Sequence, residues 1–130
     1  MTHLGERGSI TVELALSLPI VLVLLVGVLE WGWLLAREVE LVQVAREAAH
    51  HATLVAPEDD PEAAATTRAI ADLLAAGFDP DLVDVEATIM DSDVGEVIEV
   101  RVSTDYDSLL GLLPVPPRLA AGTTMLLELS

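Results

Sequence analysis

Residues 7–32 read RGSITVELALSLPIVLVLLVGVLEWG, and this stretch decides the architecture of the chain. It includes a run of 16 uncharged residues, Leu14–Leu29, which lies between Glu13 and Glu30. With its apolar flanks the run reaches the length of about 20 residues that a helix needs to cross a bilayer. Pro19 lies within the run, and membrane helices tolerate proline as a kink. The sequence therefore predicts a membrane-spanning helix near the N-terminus.

The charge balance of the whole chain is strongly acidic. Its 130 residues include 22 acidic and 6 basic side chains, the latter all arginine, for a net charge of −16. Residues 1–54 carry a net charge of −3 and residues 55–130 a net charge of −13, so an acidic domain follows the apolar segment. Nucleic-acid binding needs a cationic surface, and the composition therefore excludes nucleic acid as the main ligand. Cysteine is absent, which excludes disulfides, thiol catalysis and thiolate metal sites.

Two ordinary interpretations of the apolar segment differ in whether the segment is removed. A cleaved secretory signal peptide has a basic N-terminal region, a short apolar region of about 7–15 residues and a small-x-small cleavage site. Here Glu6 offsets Arg7, the apolar run is longer, and no A-x-A site follows it. A cleaved secretory signal therefore fits poorly. An uncleaved signal anchor, belonging to an envelope protein that mediates protein–protein contacts, stays open as the alternative to the interpretation below.

One glycine stands at a distinctive distance from an acidic residue. Among the eight glycines of the chain, only Gly8 is followed five positions later by an acid, Glu13. This G-x-x-x-x-E pattern at the head of an apolar helix resembles the cleavage site of type IV pilin-like precursors. The resemblance implies that a prepilin peptidase cuts after Gly8. Ser9 would then become the new N-terminus, and Glu13 the fifth residue of the mature chain.

The same stretch resembles, more specifically, the N-terminus of TadE-like proteins, which are pilin-like minor components of the Tad (tight adherence) pilus. That family reads R-G-x-x-x-V-E-x-A-L, then a proline, an apolar run and G-x-x-E-x-G. The chain matches this pattern from Arg7 to Gly32, and the segment AREAA at 45–49 matches the family's A-R-E-x-A. The resemblance extends over Arg7–Ala49.

The resemblance implies a structural protein of an adhesion pilus, with no enzymatic activity and no cofactor. The chain would cross the cytoplasmic membrane once, with its N-terminus inside and its C-terminal domain outside, and would join the pilus. Its implied partners are the prepilin peptidase, other pilin subunits and an inner-membrane assembly platform. In this family the acid at the position of Glu13 pairs with an N-terminal amine during docking into the filament. In this chain the ammonium of Ser9 would be that amine.

Glu13 and Glu30 also have a simpler interpretation. They are 17 positions apart, or about 25 Å of helix, and a hydrocarbon core is about 30 Å thick. Both acids can therefore mark the two ends of the span. For Glu30 we prefer this interpretation, because Trp31 and Trp33 beside it favour the membrane interface. For Glu13 we prefer the assembly role, because a carboxylate in an apolar assembly needs a partner and Ser9 lies four residues away.

The rest of the chain predicts a small α+β domain. Apolar residues spaced by three and four, from Leu41 to Val55, extend the first helix to Thr53. A second helix is predicted between an N-cap at Asp60 and a closing glycine, Gly77. Alternating apolar residues then predict three antiparallel strands, at 83–90, 98–104 and 119–127. The predicted segments are a prepilin-type leader at 1–8, a transmembrane and projecting helix at 9–54, and an exported acidic domain at 55–130.

Candidate chemistry in this domain is sparse. Asp91-x-Asp93-x-Gly95 resembles the start of a calcium loop, but Val102 stands where the closing glutamate belongs. Adjacent histidines at 50 and 51 point to different sides of a helix, so they cannot hold one ion together. The sequence therefore predicts no catalytic residue and no metal site. The apolar loop Leu109–Val115 is either core filler or a contact for a partner subunit.

Overall fold

The computed structural model describes residues 3–127, and the side chains of residues 8–127 apart from Pro57. Two α-helices, a short 3₁₀ turn (Pro57–Asp59) and one sheet of three antiparallel strands make up the fold. The predicted α+β class, with its long apolar N-terminal helix, is confirmed. In chain order the elements are α1 (His3–Thr53), α2 (Pro61–Ala75), β1 (Val83–Ser92), β2 (Gly95–Asp105) and β3 (Arg118–Leu126).

The chain forms two compact units, and α1 contributes to both. The first unit contains α1 as far as Leu34 together with the loop segment Ser108–Pro114. The second unit contains Leu35–Asp107 and the chain from Val115 onward. This division is based on contacts between residues. The predicted segments 9–54 and 55–130 are based instead on the expected processing site and on the predicted end of the helix.

In the second unit, α2 is closed at both ends as its sequence predicts. The carboxylate of Asp60 accepts a hydrogen bond from the backbone N–H of Ala63 at 3.1 Å, which makes Asp60 the N-cap. At the other end Gly77 has a φ of +81°. That left-handed turn lets the N–H of Phe78 reach back to the carbonyl of Leu73 at 3.0 Å. Such a turn favours glycine, because other residues adopt a left-handed backbone at a cost.

The sheet presents one face to the core of the second unit, with β2 in the middle. Ile98, Val100 and Val102 of β2 are fully buried and alternate with more exposed residues, as the sequence predicts. Val100 lies opposite Ala87 of β1 and Thr123 of β3. At this position each of the three strands therefore points a small or β-branched side chain toward the core. The alternation therefore fixes the register of the whole sheet.

The stripe predicted on the second part of α1 is buried. Leu41, Ala45, Ala48 and Ala52 have no exposed surface. Val55, the last predicted member, is only half-buried, because it lies beyond the end of the helix at Thr53.

Polar contacts join this part of α1 to α2 and to the turn after it. The Arg37 guanidinium donates to the carbonyl of Ala76 at 3.1 Å and lies 4.6 Å from the centre of the Phe78 ring. About three helical turns further on, Glu47 pairs with Arg68 of α2 at 3.5 Å. Arg37 therefore satisfies one of the carbonyls left free at the C-terminus of α2, and stacks on an aromatic ring in the same place.

Candidate functional site

The predicted processing site lies on the surface of α1. Gly8 and Ser9 are both helical and both exposed. A Cβ atom added to Gly8 would meet no atom within 4 Å. Packing among the described residues therefore does not require glycine at this position. Any requirement for it would come from a molecule that binds the segment.

Glu13 is also exposed, and it lies on the same helix four residues after Ser9. It is the only charged residue between Gly8 and Leu29. Among the residues that the structure describes, no hydrogen bond or ion pair involves its carboxylate. The side chains on both sides of it, over residues 8–25, are all exposed as well. The carboxylate is thus accessible to a group outside the chain.

Glu30 has a very different environment from Glu13. It is fully buried, and its Oε2 accepts a hydrogen bond from the backbone N–H of Leu110 at 2.9 Å. Glu30 therefore does more than mark the end of the span, because its side chain holds a loop from the other end of the sequence. Its second oxygen, Oε1, is buried without a hydrogen-bond partner in the described part of the chain.

Gly27, one helical turn before Glu30, lies beside the same loop. A Cβ atom at Gly27 would lie 3.6 Å from Cδ1 of Leu113, which is ordinary van der Waals contact. A larger side chain would meet Leu113. The G-x-x-E spacing places both residues on one face of the helix, since residues three apart are neighbours there. Gly32, the last residue of the G-x-x-E-x-G pattern, would meet no atom within 4 Å. The glutamate of the pattern thus holds the loop and the first glycine lies beside it, whereas the second glycine has open space around it.

The loop that they hold has an apolar surface. Leu113 is half-buried, whereas Leu109, Leu110 and Leu112 are exposed. The loop is therefore not simply core filler, because three of its four leucines are exposed. Two features of the sequence relate to this contact: the G-x-x-E spacing and the absence of charge in the loop. Neither indicates that these two segments, 80 positions apart, lie next to each other.

Metal binding finds no support in the described residues 3–127. No group of three or more histidine, aspartate or glutamate side chains among them could hold a metal ion. The adjacent histidines of α1 differ in exposure, with His50 exposed and His51 half-buried.

One helix among the described residues is long and apolar enough to cross a membrane, and it is α1 over Gly8–Thr53. Its most apolar part has no residue buried inside the structure. This one apolar helix indicates a single-pass membrane protein.

Comparison with known proteins agrees with the motif. Residues 8–50 match the family model described as TadE-like protein. No curated protein and no solved structure matches the chain. The TadE-like family is a structural, non-enzymatic family of pilin-like proteins. The resemblance seen in the sequence is therefore confirmed over residues 8–50, and the similarity of this N-terminal segment to TadE-like protein supports a Tad-pilus-associated, pilin-like protein.

Proposed function

We propose that the chain is a TadE-like minor pilin or pseudopilin, which a prepilin peptidase cuts after Gly8 and which then joins a Tad-type adhesion pilus. The observation that carries the proposal is the environment of Glu13. This carboxylate is the sole charge on an otherwise apolar stretch of α1, it is exposed, and it has no partner among the described residues.

Cleavage would supply the partner that Glu13 lacks. Hydrolysis of the Gly8–Ser9 peptide bond gives a carboxylate on Gly8 and an ammonium on Ser9. The new ammonium and the Glu13 carboxylate then lie one helical turn apart on each chain. An ion pair between them, within one chain or between neighbours, lets both charges enter apolar surroundings where either one alone would be costly.

The apolar side chains around Glu13 suit both environments that a pilin helix meets. Before assembly, the exposed leucine, isoleucine and valine side chains of residues 10–29 would contact lipid. In a filament they would contact the helices of other subunits, which are equally apolar. Moving these side chains from lipid into the filament therefore costs little free energy. The charged groups then determine which helices associate.

The proposed topology places the N-terminus in the cytoplasm and the chain beyond the span outside. The distribution of arginine gives little direction, because Glu6 offsets Arg7 and Arg37 lies on the opposite flank. The proposal thus rests on the family resemblance. A reporter fused after Ser130 should be active only outside the cytoplasm, and cytoplasmic activity would contradict the topology.

The intact mass of the protein extracted from membranes tests the processing step. We expect loss of residues 1–8 in a host that carries the peptidase, and retention of them in a host that lacks it. Gly8→Leu is the matched variant: it should stay uncut yet remain in the membrane, because the apolar run is unchanged. Full-length wild-type protein in the competent host would favour the uncleaved signal anchor, and a Gly8→Leu chain cut as efficiently as wild type would contradict the assigned site.

A further inference from the structure

The loop held by Glu30 belongs to the longest uncharged stretch outside α1. Residues 108–117 read SLLGLLPVPP, without a charged side chain, in a chain whose net charge is −16. We use the term leucine loop for the part that belongs to the first unit, Ser108–Pro114. Within it, Leu109, Leu110 and Leu112 are exposed, Leu112 to 69%. Three neighbouring exposed leucines make a surface that water does not favour.

The leucine loop lies beside the C-terminal end of the membrane span. The hydrogen bond from Leu110 to Glu30 fixes it to one turn of α1, where Leu113 also lies beside Gly27. That turn closes the uncharged run of the helix, and Trp31 follows it directly. The hydrocarbon core gives way to headgroups at such a depth, since tryptophan concentrates there. The leucine loop is therefore placed where exposed leucines can reach acyl chains.

We propose that Leu109, Leu110 and Leu112 form a second membrane contact, in which the leucine loop enters the boundary of the leaflet at the C-terminal end of the span. The occupant of this surface is lipid. Two observations favour lipid over another protein chain. The loop is continuous with a helix surface that is itself exposed and apolar, and apart from Ser108 it has no polar side chain with which to select a protein partner.

This contact also accounts for the burial of Glu30. An ionisable side chain at the edge of the hydrocarbon is costly when it faces lipid. Glu30 is fully buried, and the leucine loop donates one N–H to its carboxylate and exposes leucine side chains beside it. The inference requires that α1 crosses a bilayer. It does not depend on cleavage after Gly8 or on assembly into a pilus.

The absence of cysteine makes a direct test possible. The variants Leu112→Cys and Leu109→Cys each give the full-length protein one thiol for a nitroxide spin label. The labelled protein is placed in vesicles of phosphatidylcholine and phosphatidylglycerol, with lipid in large excess so that chains rarely meet. Collisions with oxygen, which concentrates in lipid, and with a water-soluble nickel chelate are then measured for each label.

Two reference positions bracket the result. Val28→Cys lies in the span and Val94→Cys in the hairpin turn next to Asp93, and the two native valines are almost equally exposed, at 75% and 77%. We expect the ratio of oxygen to nickel collisions at 112 and 109 to be close to that at 28 and several-fold above that at 94. A ratio equal to that at 94 would mean that the leucine loop lies in water and would overturn the inference.

Two other outcomes would also overturn it. Protection from both collision partners at 109 and 112 would mean that protein, not lipid, covers the loop. A low ratio of oxygen to nickel collisions at position 28 would show that α1 does not span the bilayer. The second membrane contact would then also be excluded. In contrast, failure of cleavage after Gly8 would leave the expected collision ratios unchanged.

Discussion

The carboxylate of Glu30 accepts a hydrogen bond from the backbone N–H of Leu110, a residue 80 positions further along the chain, at 2.9 Å. The bond belongs to the first unit and joins the end of the apolar run to the leucine loop. The Glu30 side of this bond is fully buried, and a buried carboxylate without a hydrogen-bond donor loses its hydration and gains nothing in return. Glu30 is thus a structural residue, in contrast to the accessible Glu13 on the same helix.

Replacement of Glu30 by alanine should release the leucine loop. The N–H of Leu110 would lose its acceptor, at a cost of about 1–3 kcal/mol. Glu30→Gln retains a side-chain oxygen that can accept the bond, so it should resemble wild type. Hydrogen exchange of the Leu110 amide in detergent micelles measures the difference, and we expect exchange about ten-fold faster or more in Glu30→Ala. Equal exchange in wild type and both variants would show that the bond does not hold the loop.

Much of the fold is predictable from the sequence because its signals are local. The buried stripe of α1 follows a spacing of three and four residues, and the inward residues of β2 alternate. The ends of α2 carry Asp60 and Gly77, whose side-chain chemistry and backbone freedom favour those positions. In each case the residues that form the pattern are also the ones that contact each other or lie on one face, so the pattern alone suffices.

The contacts of Glu30 and Arg37 are not predictable in this way. Glu30 meets Leu110, and Arg37 meets the carbonyl of Ala76, through the path of the chain in space. Both partners are backbone groups, which every residue carries, so no side-chain type marks them. The position of Glu30 beside two tryptophans favoured an interfacial role, and only the folded structure shows the loop that buries it.

Gly27 and Gly32 provide a matched pair for the packing of the leucine loop. Leucine at either position should strengthen the helix, since glycine costs about 1 kcal/mol in a helix interior. Only at Gly27 would the new side chain meet Leu113, whose Cδ1 lies 3.6 Å from the position of a Cβ. We expect Gly27→Leu to speed exchange of the Leu110 amide, and Gly27→Ala and Gly32→Leu to leave it unchanged. Faster exchange in Gly32→Leu as well would indicate a general effect on the helix.

Arg37 should stabilise the second unit more than an ordinary surface arginine does. Its guanidinium donates to Ala76 and stacks on Phe78, so Arg37→Ala should lower the free energy of unfolding by about 1–2 kcal/mol. Arg101 is the control, because its ion pair with Glu99 is on an exposed strand face and such pairs contribute about 0–1 kcal/mol. Circular dichroism can monitor the thermal unfolding of each variant in detergent. We expect a lower Tm for Arg37→Ala and nearly the wild-type Tm for Arg101→Ala. Equal shifts would mean that the contacts at Ala76 and Phe78 contribute nothing specific.

The prediction for Glu13 separates membrane insertion from assembly. Loss of its carboxylate should not impair insertion into the membrane but should prevent incorporation into the filament. Glu13→Val removes the only charge between Gly8 and Leu29, so insertion into the membrane should be unchanged or improved. Cleavage after Gly8 should continue, since the glycine and the apolar run remain. The ammonium of Ser9 would then have no partner, and removal of one member of a buried ion pair costs about 3–5 kcal/mol.

Incorporation into the filament should therefore fail in Glu13→Val. We expect crosslinking to other pilin subunits to fall by about 100-fold, and pilus-dependent adhesion to fall with it. Glu30→Gln is the matched control on the same helix: it removes a carboxylate 17 positions away and keeps an acceptor for Leu110, so assembly should stay near the wild-type level. Equal losses in the two variants would mean that the acids act only as markers of the span. Normal assembly in Glu13→Val would show that the proposed ion pair is not needed for incorporation.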